Sequence, residues 1–143
     1  MVHALERARD RLRPGGVLVS IHPHLSKRPF VAVIAAPSRR PVAQLVSPVF
    51  KPLLGAAVAS IQAVVDAGLF TPIGRSDHRF RVRLASQAEL ERYLHLSPRP
   101  PRFPPGGRRR LRELWRNRPP GAEIEVSEHL TLIALAVAHG NRA

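Results

Sequence analysis

Residues 11–24 read RLRPGGVLVSIHPH. A charged segment stops at Pro14, Gly15 and Gly16, and an apolar β-type run follows at once. Proline disfavours helical geometry at the residue before it, so Pro14 ends a helix at Arg13. One of the two glycines takes the positive φ that the turn requires. Val17 to Ile21 is then nearly all apolar, the pattern of a strand buried on both faces. Such a strand calls for a helix on each side and a parallel neighbour. The handover comes close to the first methionine, so the question is where the rest of the sheet lies.

The flanking pattern predicts an α/β chain. Val2, Leu5, Ala8 and Leu12 recur at three- and four-residue steps and share one helix face. From Pro23 to Pro52 two short β-prone runs, Phe30 to Ala35 and Val42 to Val46, flank PSRRP. They predict a small hairpin or a loose flap, with Lys27, Arg28, Arg39 and Arg40 in water. Pro52 to Ala67 reads as a second helix, with Leu54, Val58, Ile61 and Val65 as its stripe. Gly68 stops it. Thr71 to Asp77 reads as a loop. Arg79 to Leu84 alternates like a strand with one wet face. Ser86 and Glu89 make a capping box for the helix carrying Leu90 and Leu94. A proline-rich segment, 97–107, precedes a short basic helix with Leu111, Leu114 and Trp115 on its buried face. Thr131 to Val137 is a last apolar strand, approached by Glu123 to Glu128.

At 143 residues the chain has the size of one domain. It contains no cysteine, which removes disulfides, thiolate metal sites and thiol catalysis. No apolar leader opens it, and its longest apolar region, 53–70, is interrupted by Gln62 and Asp66. These features predict a cytoplasmic protein that does not span a membrane. The net charge is +13. Only Lys27 and Lys51 are lysines. This arginine bias, beside abundant Ala, Pro, Val and Leu, is also what a GC-rich genome imposes on any protein. Charge alone leaves an acidic partner and compositional bias both open.

The order of these pieces resembles the C-terminal half of class I S-adenosylmethionine-dependent methyltransferases. The resemblance runs through the helix MVHALERARD, then Leu12-Arg13-Pro14-Gly15-Gly16 and the strand from Val17. It continues through AGLF (67–70), FRVRL, SQAELERYL and LTLIALAV, and so covers nearly the whole chain. It implies a partial Rossmann-like sheet with mixed strand directions, in which the first strand's edge is uncovered. The family's glycine-rich cofactor loop and the acidic residue that holds the ribose have no counterpart. Gly15 and Gly16 follow a helix and open a strand, the reverse of a cofactor loop. The resemblance therefore implies a methyltransferase-like fragment or split subunit that supplies the substrate-side wall and is inactive alone. It implies no cofactor bound by this chain, with S-adenosylmethionine held only after completion by an N-terminal half. The partner is then that separate half, or a second copy in a homodimer. The alternative is a small basic binding protein, for nucleic acid or an acidic protein, that reuses the half-fold.

Candidate site residues follow from position. His22 and His24 stand where the first strand ends, the place where open α/β sheets bind ligands. With Arg28 they are the substrate-facing candidates. A neutral imidazole there suits a general base, two histidines two apart suit a shared metal, and solvated loop residues are the plain reading. No residue is assigned as catalytic or metal-binding. Asp77-His78 invites a triad, but adjacent strand residues face opposite ways and no GxSxG elbow occurs. Glu123, Glu125 and Glu128 read as a solvated approach to the last strand. Arg108, Arg109, Arg110 and Arg112 are the polyanion candidates, unless they only extend into water above a packed Leu111 and Trp115.

Overall fold

A computed structural model describes residues 2–47 and 50–138. Pro48 and Val49, inside the 23–52 stretch, lie outside the described residues. The chain is mixed α/β. Its helices are α1 (Val2–Arg11), α2 (Phe50–Asp66), α3 (Gln87–Leu94) and α4 (Gly107–Arg116). Its strands are β1 (Val17–Pro23), β2 (Phe30–Ala35), β3 (Ser38–Gln44), β4 (Phe70–Leu84) and β5 (Glu123–Val137). The strands form one five-stranded antiparallel sheet in the order β1–β5–β2–β3, with β4 also paired to β5. The residues group into two compact units, which are described in turn.

The first unit holds Met1–Leu25, Val49–His78 and Leu130–Ala143. Its entry is the Pro-Gly-Gly turn. Gly15 has φ +73°, and the Gly16 amide donates to Arg13 O at 2.8 Å. A Cβ on Gly16 would lie 2.8 Å from that same backbone oxygen, so only glycine closes the turn. β1 then pairs antiparallel with β5, from Val17 opposite Ala136 to Pro23 opposite Leu130. Cross-strand partners share a face. Leu18 and Leu135 therefore point together, and α1 and α2 cover them with Val2, Leu5, Leu12, Ile61, Val64 and Val65. At the end of α2 the Leu69 amide donates to Val64 O, and Phe70 turns back into this core.

The opposite face of β1 is bare. Val17, Val19 and Ile21 are 47%, 53% and 61% exposed. Across from them stand Ala136, Ala134 and Leu132, each half-buried. β1 ends the strand order, so its outer edge has no strand partner among the described residues. This corrects the expectation of a doubly buried strand with a helix on each side and a parallel neighbour. The neighbour is antiparallel, and the two helices lie on one face. The unbroken apolar run suits two covers, and among the described residues one is present.

The second unit holds Ser26–Pro48 and Arg79–His129. Between Pro23 and Pro52 the chain forms a hairpin, β2 against β3, with a register shift between Val31 and Ala32. β2 also pairs with β5, from Phe30 opposite Ser127 to Ile34 opposite Glu123. Val31, Val33, Ile124 and Val126 form an enclosed core with Leu45, Leu90 of α3 and Leu111 of α4. α3 carries the capping box: Ser86 Oγ accepts from the Glu89 amide, and Glu89 accepts from the Ala85 amide. α4 sends Leu111 inward, with Leu114 and Trp115 packed on the same core.

Two further expectations are corrected. Thr71 to Asp77 is strand, not loop. Among the described residues β4 pairs only with β5, and an edge position tolerates the missing amide of Pro72 and the bare backbone of Gly74. Glu123 to Glu128 is strand as well, and Glu125 is not solvated. It is 3% exposed, with Arg39 Nε donating to Oε1 at 3.0 Å, Ser127 Oγ donating to the same oxygen at 3.3 Å, and Arg81 Nε 3.9 Å from Oε2. Arg39, expected in water within PSRRP, is thus the counter-charge of a buried carboxylate. It also lies 5.4 Å over the Phe30 ring.

Candidate functional site

Near the carboxyl end of β1 stand His22, His24, Asp77 and Thr131. His22 is the penultimate residue of β1 and lies opposite Thr131 in the β1–β5 register. His24 follows the strand and is 9% exposed. Its Nε2 stands 3.5 Å from Asp77 Oδ2. Thr131, 1% exposed, donates through Oγ1 to Asp77 Oδ1 at 2.7 Å. Arg75 approaches that same oxygen at 4.0 Å. Hydroxyl and carboxylate are thus hydrogen-bonded, and the His24 imidazole stands beside the same carboxylate. The carboxylate comes from β4 and the hydroxyl from β5, so the network depends on the length of both strands.

His22 is held differently. Its Nδ1 is 2.9 Å from Pro23 O. A carbonyl only accepts, so Nδ1 carries the proton and the neutral ring has its lone pair on Nε2. Nε2 is shielded from solvent and has no hydrogen-bond partner among the described residues. A buried polar atom in that state is a cost that calls for a ligand, a proton or a water. Nε2 is thus the base-competent nitrogen of the site. A substrate hydroxyl or amine hydrogen-bonded to it could give up its proton there.

Asp77 and His78 take different partners. Asp77 serves His24, while His78 Nε2 lies 2.9 Å from Ser76 Oγ on the exposed strand. Among the described residues no three or more His, Cys, Asp or Glu side chains gather as a metal site. Arg28, the third substrate-facing candidate, belongs to the second unit. It is half-buried and makes no ion pair among the described residues. The contacts of Asp77 with Thr131 and His24 are ones that sequence reasoning missed. Periodicity does not report a contact between residues 54 positions apart.

The polyanion candidates are distributed unevenly. Arg108 is engaged by both oxygens of Glu91 and lies 5.3 Å over Phe103. The Glu91 carboxylate pushes its pKa up, so this guanidinium is committed. Arg110 Nε donates to Pro41 O at 2.8 Å, and Arg109 Nε lies 3.8 Å from Glu113. Arg112 is exposed and unpaired among the described residues. In the same unit Tyr93 donates to Glu128 at 2.6 Å, and burial, then that bond and the Glu128 charge, raise the phenol's pKa. Among the described residues no helix is long and apolar enough to cross a membrane. No known family model, no curated protein and no solved structure matches the chain.

Proposed function

We propose that this chain is the substrate-side portion of a methyltransferase-like, partial Rossmann-like sheet, working only when another half covers β1. The observation that carries this reading is the bare flank of β1. Natural edge strands are guarded by charge, proline or bulges. β1 has none of these between Val17 and His22, and three branched apolar side chains stand out beside its unpaired edge. A complementary sheet half added along that edge supplies the parallel neighbour that the LRPGG handover calls for. Without that half, the same edge takes a second copy of this chain.

The residues of this chain do not fit S-adenosylmethionine. The glycines before β1 are folded into a closed turn by the Gly16–Arg13 hydrogen bond and open no helix. The completing half holds the cofactor, which supplies the methyl group. This chain contributes the acceptor's wall, with His22 Nε2 taking a proton from a hydroxyl or amine and Asp77 and Thr131 holding His24 beside it. The test is calorimetry with S-adenosylmethionine. The chain alone should give no binding, and a fusion carrying a methyltransferase N-terminal half ahead of Val2 should bind it. Saturable binding by the chain alone, or none by a cooperatively folding fusion, contradicts the reading.

A further inference from the structure

The net charge is not spread evenly. Residues 26–48 and 79–129 hold sixteen Lys and Arg against six Asp and Glu, a surplus of ten, whereas the other unit has a surplus of three. The six carboxylates of the richer unit are all engaged, by Arg39, Arg81, Arg83, Arg92, Arg108, Arg109 and Tyr93. The positive surplus therefore exceeds what the unit's own carboxylates offset.

Part of that remainder is brought together by structure. Arg40, from β3, donates through a terminal nitrogen to Asn117 O at 3.2 Å, at the end of α4. Arg118 donates to Trp115 O at 2.7 Å and lies 4.1 Å over the Trp115 ring. Both acceptors are neutral carbonyls, so each guanidinium keeps its full charge and most of its five donors. The bonds hold the two side chains in place and lower the entropy lost on binding. Arg112 and Arg116 are four apart on exposed helix, so they share a face about 6 Å apart along the axis. Neither has a partner among the described residues. Arg40, Arg116 and Arg118 are like charges at the last turn of α4, with Arg112 one turn earlier, and a polyanion relieves their mutual repulsion.

We propose that Arg40, Arg112, Arg116 and Arg118 form a surface for the phosphate backbone of a nucleic acid. Guanidinium forks match phosphate oxygens, and contacts of this kind position a strand without reading its sequence. Arg108 and Arg109, toward the start of α4, are spent on Glu91 and Glu113 and are not counted in the surface. It lies within one unit and needs neither a cofactor nor the β1 edge, so its failure and the failure of the methyltransferase-like reading are distinguishable.

The test is fluorescence anisotropy with a labelled random-sequence RNA and with a DNA duplex, across salt. The full chain should bind one or both, with affinity falling steeply as salt rises. Arg112→Gln/Arg116→Gln should weaken binding about tenfold and lower the salt slope by about two, one for each phosphate no longer neutralised. Arg7→Gln/Arg11→Gln, an equal loss of charge from an exposed i,i+4 pair in the other unit, should change affinity less than about twofold. Gln keeps helix propensity, and a thermal melt confirms that each variant folds. No binding at low salt overturns the proposal. So does an equal loss from the control pair, which would make the effect net charge alone. Tighter binding to polyglutamate than to nucleic acid also overturns it, in favour of an acidic protein.

Discussion

The unit built on β1 and the unit built on β2 solve the same problem differently. Around β2 the apolar residues are enclosed. Val31, Ile124, Val126 and Leu90 are fully buried, and even Glu125 is buried with its counter-charge supplied. Around β1 the strands bury Leu18 and Leu135 on one face and leave Val17, Val19 and Ile21 on the other. Fully burying one such side chain is worth roughly 1.5–3 kcal/mol, so covering three that are about half-exposed adds on the order of 3 kcal/mol. One unit is finished by its own chain and carries the charge. The other leaves one apolar face of β1 about half-exposed. The difference teaches that apolar composition within a strand does not say whether the covering surface is encoded in the same polypeptide.

The sharpest way to break this contrast is to cut both faces of one strand pair. Leu135→Ala empties a fully buried position and should cost about 3 kcal/mol or more in urea unfolding, while Val19→Ala should cost less than about 0.5 kcal/mol. Comparable losses would mean that both faces are packed. In the other unit, Arg39→Ala strips the close partner of Glu125. A cost of about 2 kcal/mol is expected, below the usual figure for a broken buried pair because Arg81 remains and Arg39 is half-exposed. It should appear as faster hydrogen exchange at β2 and at residues 123–127. An unchanged exchange pattern there would show that the charge pair does not hold the enclosed unit together.

The smallest effect is a matter of pH. The Tyr93 pKa is raised above its ordinary value of 10.0 by burial and by Glu128. The unfolded chain therefore loses this proton first. The stability from keeping the phenol protonated is complete below pH 10 and declines as pH rises beyond it. Wild type should lose stability above that pH more steeply than Tyr93→Phe. Because the chain has a single tyrosine, tyrosinate absorbance follows the group directly. Ionisation at the ordinary value in the folded state would contradict the Tyr93–Glu128 contact.

Much of the local structure was legible in the chain. Pro14-Gly15-Gly16 marked the turn, the Ser86–Glu89 spacing marked the α3 cap, and the stripe of Leu111, Leu114 and Trp115 marked the inner face of α4. What stayed hidden depends on distant partners. Pro72 and Gly74 read as breakers, but an edge strand paired to a 15-residue β5 accommodates them. The EIEVSE segment reads as apolar residues alternating with solvated ones. Glu125 is buried because Arg39, 86 positions away, neutralises it. At the candidate site the two histidines were legible from the end of the strand, but their roles were not. Asp77 sits beside His78 in sequence and serves His24 in space. The His22 tautomer is set by a carbonyl that no spacing rule reveals.

The interface proposed for β1 rests on an edge and an apolar face left uncovered among the described residues. Sedimentation velocity across micromolar concentrations tests it most directly. Wild type should associate as concentration rises, and Val19→Lys/Ile21→Lys should remain monomeric with an unchanged melting temperature, since both side chains already face water. A wild-type protein that stays strictly monomeric throughout, or a lysine variant that associates as readily, would contradict it.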